Sequence, residues 1–250
     1  MTGQPLILAI ETSTLSCSVA LFHGEDLLGE AQAAESKHVH GKRLLPMIDE
    51  LLRSNRIDSV ELEAIAVSSG PGSYTGLRIG ISTAKGIAHA HGLPLMAFDS
   101  LDVQARAVAI EGKWDTIIAV MDARRDEVYT ASFVLTNDAL AFTDPTRAVI
   151  LEPQMELTDL FPTLSDCSEL RRVCIIGDAA EKTQRLMGDR MSKCSFVTDF
   201  PLAKHMHQLA LSAFSKNEFE DLAYFEPRYL KEFQAGAPRD PLGLRKQTIR

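Results

Sequence analysis

One grammar occurs twice in this chain and constrains its fold more than any other feature. An apolar run from Leu6 to Ile10 is followed by a polar turn and a returning run from Cys17 to Phe22. Thr116 to Met121 and Val128 to Leu135 repeat the arrangement around a charged turn, Asp122 to Glu127. Short apolar runs joined by polar turns read as β-hairpins. Leu27 to Ala31 extends the first into a three-stranded meander, and helical patterns follow each hairpin. The expectation is an α/β protein of two related lobes, each a mixed sheet flanked by helices. The boundary falls between Asp99 and Trp114, giving lobes of residues 1–105 and 106–250.

The helical patterns are specific. Leu44, Leu45, Ile48, Leu51 and Leu52 recur at three- and four-residue spacing and share one side of a helix. Pro46 fits only a first turn, so this helix is expected to begin near Leu44. Ala64 to Ser68 reads as a buried strand, and Gly70 to Gly76 as a turn-rich loop. A second helix runs from about Thr75 to His91, is capped by Ser73 or Thr75, and stops at Gly92. Leu95 to Phe98, Val173 to Ile176 and a segment starting near Val197 read as strands. Leu101 to Ile110 and His205 to Lys216 read as helices.

Composition excludes several classes. The 250 residues are 45% hydrophobic and 24% charged, enough for a sizeable core. The net charge of -8 disfavours nucleic-acid binding by the surface at large. The exception is the stretch from Arg228 to Arg250, where Arg228, Lys231, Arg239, Arg245, Lys246 and Arg250 outnumber Glu232 and Asp240. Cys17, Cys167, Cys174 and Cys194 form no C-x-x-C pair and fit thiols in a reducing compartment. With no export signal and no membrane-length apolar stretch, the expected location is the cytoplasm.

Catalytic motifs are thin. Glu11, Thr12 and Ser13 close the first hairpin, where a carboxylate and small hydroxyls can face a phosphate and its cation. A polar turn is the plainer reading. Gly70 to Gly76 lacks the Lys-Ser or Lys-Thr of a P-loop, and Thr75 stands where a dinucleotide loop needs its third glycine. His38 and His40, His89 and His91, and His205 and His207 are each two apart, which is wrong for a helical zinc pair. Neither Ser69 nor Ser73 sits in G-x-S-x-G. Asp122, Asp126 and Glu127 read as a solvated turn. Gly76 and Gly80 share a helix face, and a helix-interior glycine costs about 1 kcal/mol against alanine. Close approach of another backbone would explain both, from the chain's own sheet or from a partner's helix.

Five blocks together resemble the TsaB (YeaZ) family: ILAIETSTLSCSVAL, KHVHGKRLLPMIDELL, SSGPGSYTGLRIGISTAKGIAHAHGLPL, MDARRDEVYTASF and EPRYLKEFQAG. They occur in the family's order along nearly the whole chain. The resemblance implies the two-lobed actin-like ATPase (ASKHA) fold and a role in threonylcarbamoyladenosine synthesis on tRNA. It implies a noncatalytic subunit that binds the catalytic relative TsaD, with the ATPase TsaE joining them, a homodimer when alone, and tRNA met mainly through the complex. TsaD-like chains carry His-x-x-x-His where this chain has His38 and His40, and His-Met-x-Gly-His where it has Phe98 to Val103. Glu11 stands where nucleotide-binding members place Asp. No cofactor, metal or catalytic residue is therefore expected, and Glu11, Thr12 and Ser13 would be a vestigial phosphate hairpin. The alternative is a nucleotide hydrolase or peptidase-like enzyme of the same superfamily. The resemblance places the TsaD contact on helices of the first lobe. Leu44, Met47, Ile48 and Leu51 would be anchors there, and Gly76, Ile79, Gly80, Thr83 and Ile87 the close-packing face.

Overall fold

The computed structural model describes residues 4–34, 40–109, 111–136, 139–156, 172–188 and 194–231. His38, Cys167 and the basic residues from Arg239 to Arg250 lie outside them. The first lobe runs β1 (Leu6–Glu11), β2 (Ser16–His23), β3 (Asp26–Ala34), α1 (His40–Ser54), β4 (Ala64–Gly70), α2 (Tyr74–His91) and β5 (Leu95–Asp99). After α3 (Ser100–Ala109) come β6 (Thr116–Asp122), β7 (Glu127–Thr136), β8 (Ala139–Ile150), β9 (Val173–Ile176), α4 (Ala180–Met187), β10 (Cys194–Val197) and α5 (His207–Lys216).

The sheet orders are β3-β2-β1-β4-β5 and β10-β9-β6-β7-β8. The second is the first with β6 in place of β1. In each, the central strand pairs antiparallel with the next strand and parallel with the fourth. The duplicated hairpins thus build two mixed sheets of one topology, the two-lobed actin-like ATPase fold.

All six residues of β1 are buried, because both faces of the sheet are covered. Leu6, Leu8 and Ile10 face α1 and α2, while Ile7 and Ala9 face α3 and α5. The stripe of α1 (Leu44, Met47, Ile48, Leu51, Leu52) packs into the first of these cores. Each such side chain stabilises by about 1.5–3 kcal/mol. Their sum outweighs the roughly 3 kcal/mol that a helix-interior proline costs. The helix accordingly starts by His40 and carries Pro46 inside it, earlier than the expected start near Leu44. Ser73 caps α2, its Oγ accepting from Gly76 N at 3.2 Å, and Gly92 ends it in the left-handed region.

α3 belongs to both lobes. Val103 packs under the first sheet, whereas Leu101, Ala105 and Val108 pack under the second. The chain then returns, and Ala203, Met206, Ala210 and Ala213 join Ile7 and Ala9 beneath the first sheet. That return alters the expected division into 1–105 and 106–250. The final helix packs with the first lobe, and residue 105 lies inside the shared helix.

Candidate functional site

The β1–β2 hairpin tip lies directly on the loop that starts α2. Ser13 is held from both sides: its N–H donates to Glu11 Oε1 at 2.6 Å, and its carbonyl accepts from Ser73 N at 2.6 Å. Ser68 Oγ donates to the same Glu11 oxygen at 2.9 Å. A Cβ on Gly76 would collide with the Thr12 carbonyl, and one on Gly80 with the Thr12 side chain. Of the two explanations open for these glycines, the structure selects close approach within the chain. Alanine at Gly80 is expected to cost about 1–3 kcal/mol through overpacking, read as a shift in the urea midpoint.

This closeness decides what the hairpin can hold. A phosphate at a helix start needs free N–H donors. Here Ser73 N serves Ser13, and Gly76 N serves the Ser73 hydroxyl at 3.2 Å. Glu11, Thr12 and Ser13 are 0%, 0% and 1% exposed. Burial, opposed only in part by hydrogen bonds from Ser13 and Ser68, raises the Glu11 carboxyl to about 7. Glu11 Oε2 and Thr12 Oγ1 are buried without a partner. A half-protonated acid turned into the core is a poor anchor for a cation's water shell.

In front of the hairpin, between the lobes, lies a cleft of about 800 Å³. Ser13 to Leu15 and Pro71 to Thr75 line one side, Met121 to Arg125 the other, and Arg228 to Lys231 a third. Asp122 and Asp126 are exposed, as expected of a solvated turn, while Glu127 is half-buried and both Asp122 and Glu127 also find cationic partners. Lys182 Nζ reaches Asp122 at 2.8 Å, and Lys231 pairs with Glu127. Asp178 accepts from Asp122 N at 2.9 Å. Partners 56 to 104 residues away give no sign in local spacing.

The histidines stay apart. His89 and His91 are exposed on α2. His207 stacks on Phe22 and meets the Gly24 carbonyl at 2.8 Å. Burial lowers His205 to about 4. Among the described residues, no three His, Cys, Asp or Glu side chains come together to hold a metal.

Of the expected partner-facing residues, Leu44, Met47, Ile48 and Leu51 are only 1–6% exposed, buried against the chain's own sheet. With Gly76 and Gly80 they are structural residues of this lobe, too buried to form a contact surface. Ile79, Thr83 and Ile87 are half-buried along one side of α2, Ile79 and Ile87 packing in part against the first core. Two features of that side carry no signal in the sequence pattern. Leu45, the next residue after the buried Leu44, is 60% exposed, and Gly86 faces open space, with nothing within 4 Å of where a Cβ would stand.

A family model described as "TsaD: tRNA N6-adenosine threonylcarbamoyltransferase" matches residues 32–238, well over half of the chain. The chain belongs to this family. Within it, the chain goes with TsaB (YeaZ). The TsaB of Haemophilus influenzae is 37% identical over 128 residues, 51% of this chain and 53% of that protein. The match thus spans about half the length of that relative. The TsaB of Bacillus subtilis is 29% identical over 92% of this chain and 96% of its own length. A crystal structure from Pseudomonas aeruginosa, described as an uncharacterised protein similar to peptidase YeaZ, superposes with a TM-score of 0.76. It is 27% identical, covering 91% of this chain and all of that one. No described helix is long and apolar enough to cross a membrane.

Proposed function

We propose that this chain is a noncatalytic subunit that binds TsaD in the assembly forming threonylcarbamoyladenosine on tRNA. Its place in that biosynthesis follows from its family and from the names its TsaB relatives carry. The noncatalytic part rests on one observation, the direct seating of Thr12 and Ser13 on the start of α2. That contact uses the space and the Ser73 donor a phosphate would need, with Glu11 turned into the core. The hydrolase alternative requires this contact to open, and the peptidase alternative requires a nucleophile or a metal set.

The partner surface is proposed as the outer side of α2 with the adjoining edge of α1. Ile79, Thr83 and Ile87 remain from the residues expected there, joined by Leu45, Ser82 and Gly86. Gly86 carries the argument within this patch. A glycine inside a helix costs about 1 kcal/mol, and nothing described within this chain uses the space it leaves. A partner helix approaching there would use it, as small residues permit backbones to come close. The same surface would pair two copies when TsaD is absent. TsaE would join the TsaD pair, and tRNA would be met through the complex.

Size-exclusion chromatography with light scattering tests this reading. The chain mixed with TsaD of its own organism should elute as a heteromeric complex. Gly86→Arg should abolish the complex and leave the melting temperature within about 2 °C, since the site is open. Gly86→Ala should stabilise the free chain by about 0.5–1 kcal/mol while weakening the complex. A Gly86→Arg chain that still binds TsaD at full affinity moves the interface elsewhere.

A further inference from the structure

After α5 the chain runs back along α2 as an irregular segment and crosses the mouth of the cleft. Lys85 Nζ on α2 donates to the Phe225 carbonyl at 2.9 Å and reaches that of Ala223 at 3.4 Å. Arg228 N donates to the Ser69 carbonyl at 2.7 Å, and its guanidinium meets Asp99 Oδ2 at 3.1 Å. The same Asp99 oxygen accepts from Thr146 Oγ1 of the second lobe at 2.7 Å. Gly70 is in the left-handed region at φ 114°, and the Arg228 carbonyl oxygen lies 2.6 Å from where its Cβ would be. Only a glycine lets the segment lie down there.

Beyond this point the segment touches both lobes. The Tyr229 ring stacks on Tyr74 with centroids 4.7 Å apart. Arg78 of α2 lies 4.1 Å above the Tyr74 ring, and its Nε donates to Tyr229 Oη at 3.0 Å. Lys231 Nζ then pairs with the Glu127 carboxylate and donates to the Ala123 carbonyl at 3.2 Å. Those two residues flank Arg124 and Arg125, which sit at φ 73° and 54°. Two adjacent non-glycine residues in that region need outside support.

We infer that residues 226–231 form a releasable latch, held by Arg78 of α2 and by the β6–β7 turn, which closes the cleft and reports to it what docks on α2. The regulatory half rests on the reading of α2 as the partner-facing helix. A permanent seam would be apolar or laddered by backbone hydrogen bonds. Among the described residues, this one has a single backbone hydrogen bond, to Ser69, with a half-buried ring stack and two partly exposed side-chain ion pairs. Arg78 is exposed on the same helix. A partner that takes over its guanidinium removes the hydrogen bond to Tyr229 and the cation over Tyr74, and the far end at Glu127 loses its tether. Binding on α2 then shifts the latch between two states by its differential contacts with each.

Hydrogen exchange on the full chain tests this without any partner. Tyr229→Ala and Arg78→Ala should each accelerate exchange about tenfold in residues 226–231 and also in 121–130 across the cleft, with melting unchanged. Acceleration confined to 226–231, with 121–130 as slow as in the unaltered chain, overturns the latch. Lys231→Ala provides the second variant and should loosen 121–130 alone. Complex formation with TsaD is scored separately by light scattering, so failure of that reading leaves the exchange result standing.

Discussion

Ile48→Glu unfolds this chain instead of releasing a partner. Ile48 is 5% exposed and packs with Leu8, Ile10 and Leu44 under the first sheet. Removing a buried isoleucine costs about 2–5 kcal/mol, and an unpaired carboxylate in its place adds several more. A domain of this size has roughly 5–15 kcal/mol in all. The expected result is a melting temperature lowered by at least about 15 °C, or no cooperative transition. Leu45→Glu is the control. It lies three residues earlier on the same helix, is 60% exposed, and should shift stability by less than about 0.5 kcal/mol. Equal effects of the two changes would mean that α1 is turned about its axis from the orientation described.

Glu11→Gln is expected to stabilise the chain at alkaline pH and to leave it unchanged in acid. Burial raises the Glu11 carboxyl from 4.5 to about 7. Below pH 4.5 both folded and unfolded chains carry the proton, and glutamate costs no more than glutamine. Between 4.5 and 7 the unfolded chain ionises while the folded one resists, so stability falls as pH rises through that window and then levels off. A shift of this size corresponds to roughly 3 kcal/mol at pH 8. Urea titrations of both chains at pH 4.5 and 8 measure it. His205 acts on the other flank. Burial lowers it from 6.5 to about 4, so its contribution is complete above 6.5 and is lost as pH falls through 4. A Glu11→Gln chain less stable than the original at pH 8 would show that the carboxylate is ionised in the fold and held by a charge partner.

The central strands were legible because they are covered on both faces. Leu6 to Ile10 and Thr116 to Met121 are unbroken apolar runs, and only strands with both faces buried read that way. β8 was not legible. Its sequence, ALAFTDPTRAVI, carries Asp144 and Pro145 in mid-strand, which an edge strand tolerates at a register shift. α4 starts without a side-chain cap, and β10 is four residues, none of them fully buried. Periodicity in α1 showed that one face is buried, but not by what. The same limit misplaced Gly76 and Gly80, whose cause is Thr12, more than sixty residues earlier. Gly86 differs from them only in what lies opposite, which a sequence does not contain. The pairs Lys182–Asp122, Lys231–Glu127 and Arg228–Asp99 join residues 60 to 129 apart, so the organisation of the cleft belongs to the tertiary fold.

The most direct test of a noncatalytic, TsaD-binding role is threonylcarbamoyladenosine formed on tRNA by TsaD, TsaE and donor, with this chain supplied in three forms. The unaltered chain and Glu11→Gln should support the same rate at equal occupancy of TsaD, and Gly86→Arg should support none. A rate that collapses with Glu11→Gln while the complex still forms would make the hairpin part of the chemistry and contradict the account.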